Sequence, residues 1–411
     1  MKKYCILLLA SLFSISNAHA QTSLLYEGLF QNGANADIVF EGDVNAKYTS
    51  DGLEIEGAKG QVRLNRYYSL AARTARFVTR FSEDAVADFT CNTRDFIFRV
   101  DVSKKQVIIP NVTSAGQAIQ GPWKAAPMLN AEDEYLVEIE HYYGTNRATL
   151  TNLYTGESVQ MDVTTDGQGG SVGGAVNAGV QYGMMRDYYC VALSSGSKLT
   201  ISQMSVVAGA CNLTLLIYGD SITQPEDYYP AQDSDKTYTQ LIMNRVQGPA
   251  ISSGRGGGTI HDVLERIKWE LPYVKAKYVM VTIGTNGGNT FENLCQLVEY
   301  IQSQGSIAIL NNIPCNELNT QIETNKVIEK VREKYKLRGC KFDIATSIHH
   351  DGMEVDKSTM WFENLIDHPA IKRDVYHHPN VKGARQMYLR TLVDVPEIYD
   401  GTTLFQEAHK K

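Results

Sequence analysis

The sequence predicts two domains: an antiparallel β-sandwich over residues 21–208, then an α/β domain over 209–411 whose parallel sheet is covered by helices. Three observations predict this. Residues 21–208 alternate apolar and polar side chains with period two. From about residue 209, short continuous apolar runs alternate with patterns of period 3.6. Residues 1–20 have the build of a cleavable leader and stand apart from both halves. A length of 411 residues fits two or three domains. With 43% hydrophobic and 21% charged residues, the chain has globular composition, which excludes a disordered, collagen-like or coiled-coil protein.

The leader carries Lys2 and Lys3, then the apolar run CILLLASLF at 5–13, then Ala18-His19-Ala20 as an A-x-A cleavage site. The run is well short of the ~20 residues that a membrane-spanning helix needs. The expectation is therefore an exported protein, periplasmic or secreted, that starts at Gln21. The formal charge is −7, and −9 without the two leader lysines. Lys plus Arg number 15 against 21 acids in 21–208, and 22 against 25 in 209–411. Neither half is basic, which argues against nucleic acid and anionic membranes as partners. No later stretch is long and apolar enough to span a membrane.

In the first half, Ala75, Phe77, Thr79 and Phe81 share one face of a strand, against Arg76, Val78 and Arg80. Phe96, Phe98, Val100 and Val102 do the same, as do Tyr135, Val137, Ile139 and His141. Such alternation marks half-buried antiparallel strands. Turn signals separate them at Ser103-Lys104-Lys105, Gly144-Thr145-Asn146 and Thr155-Gly156, and a Gly-rich loop follows at 166–174. The run of strand, turn, strand, turn, strand over 135–159 resembles the concanavalin A/laminin G-like sandwich. The grammar changes near Ala208-Gly209-Ala210. Residues 213–218 (LTLLIY), 278–283 (YVMVTI) and 306–310 (SIAIL) read as strands buried on both faces, with a further strand at 250–252. Helical patterns lie at 238–246, 260–269, 291–302, 322–335 and 381–393. Six cysteines follow the leader: Cys91, Cys190, Cys211, Cys295, Cys315 and Cys340. Bridges and buried thiols both remain open for them.

An open parallel sheet binds its ligand beyond the carboxyl ends of its strands. Those ends carry Gly219-Asp220-Ser221-Ile222-Thr223, then Gly254-Arg255-Gly256-Gly257-Gly258, then Gly284-Thr285-Asn286-Gly287. Near the C-terminus stands Asp374-Val375-Tyr376-His377-His378-Pro379-Asn380. A serine hydroxyl needs an adjacent base to become a nucleophile, a histidine can supply it near neutral pH, and a carboxylate orients the imidazole. Backbone N–H groups in a glycine turn and an asparagine amide can stabilise an oxyanion.

The set resembles the SGNH (GDSL-type) hydrolase family over about 209–400. Ser221 stands in G-D-S-I-T, Gly257 in G-R-G-G-G-T, Asn286 in G-T-N and His378 in H-P-N-x-x-G. The resemblance implies a flavodoxin-like three-layer fold and ester hydrolysis through an acyl-enzyme. It implies Ser221 as nucleophile, His378 as base and Asp374 as its orienting acid, with Ser221, Gly257 and Asn286 as the oxyanion hole. No metal and no cofactor are implied. The spacing departs from the family pattern, in which the acid stands three residues before the histidine. Asp374 is three residues before His377 and four before His378, so His377 stays open as the alternative base. Gly254 is the alternative to Gly257, but Thr259 and Asp262 follow Gly257 at the family spacing.

Other motifs have plainer readings. Gly169-Gly170-Ser171-Val172-Gly173 fits G-x-S-x-G but lacks the strand before it and the helix after it. His349-His350-Asp351 has no third ligand at a fixed spacing. Asp367-His368-Pro369 lacks the N-x-x-G continuation. Tyr228-Tyr229 can stack on a sugar or pack in the core, and Trp123, Trp269 and Trp361 read as core. The expected activity is hydrolysis of an ester on a small molecule or polysaccharide, with an acetyl ester on a carbohydrate favoured. A lipid-like or other short-chain ester is the alternative, and a glycan-binding protein with an inactive hydrolase half is another. For the sandwich, glycan contact and a purely structural role are both open.

Overall fold

A computed structural model describes residues 21–57, 60–91, 96–109, 111–114, 117–120, 123–131, 133–143, 145–164, 188–224, 231–362 and 375–399. The first half is a two-sheet antiparallel sandwich. In one sheet, strands run in the spatial order Ser158–Thr164, Thr145–Asn152, Glu134–Tyr142, Ala72–Phe81, Leu199–Ala208, Gly52–Glu56 and Asn45–Thr49. Ser23–Leu29 also pairs with Leu199–Ala208. The facing sheet orders Trp123–Ala125, Gln106–Ile108, Phe96–Asp101, Val86–Cys91, Tyr188–Ser195, Gly60–Tyr67 and Ile38–Gly42. The period-two pattern becomes burial directly. Ala75, Phe77 and Phe81 are buried, whereas Arg76 and Arg80 reach the outer face and pair with Glu138 and Glu134.

Among the described residues of the second half, four strands form a parallel sheet in the order Ala250–Gly254, Leu213–Gly219, Ala276–Thr282, Ile307–Leu310. Six α-helices are described: α1 (Tyr238–Met243), α2 (Ile260–Val274), α3 (Phe291–Ser303), α4 (Gln321–Tyr335), α5 (Phe342–Thr346) and α6 (Val381–Asp394). The first strand alternates between two cores. Leu215 and Ile217 pack with α1, α5 and α6, among Ile242, Phe342 and Met387. Leu216 and Tyr218 pack with α2, α3 and α4, and that core is continuous with the sandwich core. Apolar residues at every strand position therefore mark a sheet covered on both faces.

Two helix ends matter for the site. The Asp262 carboxylate accepts from Thr259 N–H at 2.8 Å and from the Thr259 hydroxyl at 3.0 Å, which fixes the start of α2. Asn380 caps α6, its Oδ1 accepting from Lys382 N–H at 2.9 Å and Gly383 N–H at 3.1 Å. The helix predicted over 260–269 extends to Val274, with Pro272 in its last turn. The helix predicted over 238–246 stops at Met243. Cys211, Cys295, Cys315 and Cys340 are free thiols. Among the described residues no helix is long and apolar enough to cross a membrane.

Candidate active site

The strand order puts the first strand of the sheet between the second and the third, so the chain winds outward in opposite directions from it. The carboxyl end of that strand is the switch point where an open sheet leaves a crevice. Ser221 stands there, two residues past Gly219. Gly219 is required by close approach, since a Cβ would collide with the Thr223 hydroxyl and the Thr282 carbonyl.

Three strand-end loops are tied together. Thr223 N–H and Gln224 N–H both donate to the Asp220 carbonyl at 3.0 Å, closing the turn that carries Ser221. Gln224 Oε1 then accepts from Gly256 N–H at 2.6 Å, joining that turn to the glycine loop. Asn286 Nδ2 donates to the Gly258 carbonyl at 3.0 Å, joining the third loop to the second. Gly257 has φ +66°, the left-handed conformation that glycine adopts freely. Among the described residues, the N–H groups of Ser221 and Gly257 donate to no other group. Asn286 is exposed at the mouth and keeps one amide hydrogen for a further acceptor.

The histidine strand, Tyr376–Pro379, pairs antiparallel with Met360–Phe362. Met360 opposes Pro379 and Phe362 opposes Tyr376, so two steps on one strand match three on the other. This is a bulge, with His377 and His378 together facing Trp361. Consecutive residues in a regular strand point to opposite sides, and that expectation fails here. The two imidazoles instead stack, with centroids 4.6 Å apart and planes 14° from parallel. His378 Nε2 lies 2.8 Å from Ser221 Oγ, and both side chains are buried. His377 is buried beside it. Asp374 lies outside the described residues, as do the leader, the 166–174 loop with its G-x-S-x-G, Tyr228-Tyr229 and Asp367-His368-Pro369.

His349, His350 and Asp351 are exposed. Trp123 is 60% exposed on its sandwich strand, contrary to the expectation of core. Trp269 is partly buried beneath the Arg66 guanidinium, 4.3 Å from its ring. Trp361 is partly buried.

Asp220 is a site group that motif reading passed over, although it sits inside G-D-S. Its carboxyl is fully buried, and Oδ1 accepts from Ile222 N–H at 3.0 Å. Burial pushes its pKa from 3.8 up to about 6, while the Ile222 bond, charge on His378 and contact with Thr285 pull it back. Folded protein therefore binds a proton between about pH 4 and 6 that the unfolded chain does not. The destabilisation is absent below the unfolded value and fully present above the folded one. At about 1.4 kcal/mol per unit, Asp220→Asn is expected to stabilise the fold at pH 8 by on the order of 2–3 kcal/mol. At pH 4 it should change little. Denaturant unfolding at the two pH values checks this, and equal effects at both would contradict it.

The sequence matches no model of a known protein family and no curated protein. It is similar to the crystal structure of TesA, at 16% identity and a TM-score of 0.36, covering 45% of this chain and 98% of that one. It is similar to a single-substitution variant of Axe2, an acetyl xylan esterase from Geobacillus stearothermophilus, at 16% identity and a TM-score of 0.35, covering 46% and 95%. It is also similar to the Ca2+-bound exoplasmic/lumenal domain of VIP36, at 11% identity and a TM-score of 0.31, covering 44% and 90%.

Proposed function

We propose that the protein is a serine esterase, and the observation that carries this is the 2.8 Å contact between Ser221 Oγ and His378 Nε2 at the switch point of the parallel sheet. For Nε2 to accept the hydroxyl proton, His378 carries its own proton on Nδ1, where Asp374 is the proposed partner. Ser221 Oγ attacks the ester carbonyl as its proton passes to Nε2. The carbonyl oxygen takes the negative charge, facing the N–H groups of Ser221 and Gly257 and the Asn286 amide. Collapse expels the alcohol, which takes the proton from His378. Water, deprotonated by the same nitrogen, then releases the acid and restores Ser221.

The substrate proposed is a short acyl ester, acetyl above all, on a carbohydrate. Its support is the leader, which suits an exported enzyme acting on polymers outside the cell, the appended sandwich, and a sequence without a long apolar lid segment. The experiment compares acetate release from acetylated oligosaccharides with hydrolysis of short-chain and long-chain p-nitrophenyl esters. The reading predicts kcat/KM highest for the acetylated sugar, and preference for the long chain would overturn it. Asn286→Ala is expected to lower kcat by about 10²–10³ with a smaller change in KM, as loss of one oxyanion donor does. A change confined to KM would make Asn286 a ground-state contact only.

A further inference from the structure

Segment 67–71 of the sandwich is wholly buried against the back of the site. Three of its groups cross the seam. Tyr67 OH donates to the Asp262 carbonyl at 2.6 Å, in the first turn of α2, just after the glycine loop. Ala71 N–H donates to the Ser252 carbonyl at 2.8 Å, two residues before that loop begins at Gly254. Ser69 N–H donates to Glu270 Oε1 at 2.7 Å.

The third contact continues inward. Glu270 Oε2 accepts from the Ser253 hydroxyl at 2.9 Å, and Ser253 Oγ accepts from Arg266 Nε at 3.1 Å. Arg266 Nη2 donates to the Ser253 carbonyl at 2.8 Å and to the Gly219 carbonyl at 2.9 Å. Gly219 is two residues before Ser221, and its carbonyl also accepts from Arg255 N–H at 3.1 Å. Both charged side chains are completely buried, one helical turn apart on α2. Burial raises the Glu270 pKa, while Arg266 and the Ser69 and Ser253 bonds oppose the rise. Burying two charges costs several kcal/mol each before their attraction returns any of it, so the pair is a poor route to stability alone. What the charges accomplish geometrically is to fix one carbonyl at the strand end that bears the nucleophile. The guanidinium's rigid planar fork holds these acceptors in one fixed geometry, whereas an ammonium carries its three donors on a flexible stem that does not fix their directions.

We propose that the β-sandwich is a positioning element for the Ser221 turn, acting through the buried chain from Ser69 N–H through Glu270 and Ser253 to Arg266 and the Gly219 carbonyl, with Arg266 as a positioning residue. The kinetic part of this proposal rests on the esterase reading, and the structural part does not. Both are read in the full chain carrying Arg266→Lys, by ester hydrolysis and by hydrogen-exchange mass spectrometry. The expected result is a kcat at least tenfold lower with KM within twofold of wild type. Amide exchange should accelerate together at 219–224 and at 67–71, while 135–141 keeps its protection. A kcat within twofold of wild type would overturn the proposal. So would unchanged exchange at 219–224, or acceleration spread evenly over the chain, which marks a loss of stability alone. If the wild-type protein hydrolyses no ester, the esterase reading falls and the exchange result decides this proposal. Should Arg266→Lys fail to fold, the neutral pair Arg266→Met with Glu270→Gln is measured in the same way. If that double variant also fails to fold, the pair is a stability element and the proposal is wrong.

Discussion

Ser221→Ala is expected to remove ester hydrolysis by several powers of ten and leave the protein folded. The large kinetic effect follows from the proposed chemistry: without Oγ there is nothing for His378 to activate, and only the oxyanion donors and binding remain. The small structural effect follows from the packing. Ser221 is buried in a turn closed by the Asp220 carbonyl with Thr223 and Gln224 N–H groups, and none of those bonds uses the serine hydroxyl. Losing one oxygen removes the bond to His378 and leaves the backbone in place. Turnover of a short-chain chromogenic ester, with circular dichroism on the same sample, checks both halves. Near wild-type turnover in a folded Ser221→Ala protein would exclude Ser221 as nucleophile.

His378→Ala is expected to match Ser221→Ala, whereas His377→Ala should cost less than about 1.4 kcal/mol in kcat/KM, under tenfold. The two residues are neighbours, stacked and equally buried, yet only His378 has a ring nitrogen within a hydrogen bond of Ser221 Oγ among the contacts described. His377 supports the second ring from one face, so its loss should loosen the base without deleting it. Asp374→Asn should fall between the two, because it keeps the base present and poorly oriented. The reverse order, with His377→Ala inactive and His378→Ala active, would assign the base to the residue three after Asp374.

That spacing shows where the sequence was legible and where it was not. The parallel strands announced themselves because residues such as Leu215 and Leu216 must be apolar on both faces. The start of α6 was equally plain, since Pro379-Asn380 is both a strand end and a cap. The bulge that holds His377 and His378 side by side was not legible. It is set by pairing with Met360–Phe362, a three-residue strand with no periodicity of its own. Nothing in the sequence distinguishes Arg266 and Glu270, four apart on a helix, from an exposed ion pair. Only the packing of 67–71 over them turns the pair into a buried relay. Asp220 was hidden differently. Its place in G-D-S drew attention to the serine, and its raised pKa comes from burial that no local pattern encodes. The extension of α2 past Trp269 has a local reason. Pro272 signals a stop, but in the last turn it forfeits one hydrogen bond, while Leu271 and Val274 still bury on the core.

The central claim, that Ser221 is a nucleophile activated by His378, is tested most directly by covalent trapping. A fluorophosphonate or short-chain organophosphate ester phosphorylates only a serine whose hydroxyl is activated. The labelled protein is digested and the modified residue is located by mass spectrometry. The account predicts one adduct, on Ser221, formed with loss of esterase activity in step, and absent from His378→Ala at the same reagent concentration and time. Labelling of another residue in the active protein, or full labelling of Ser221 in His378→Ala, would contradict it.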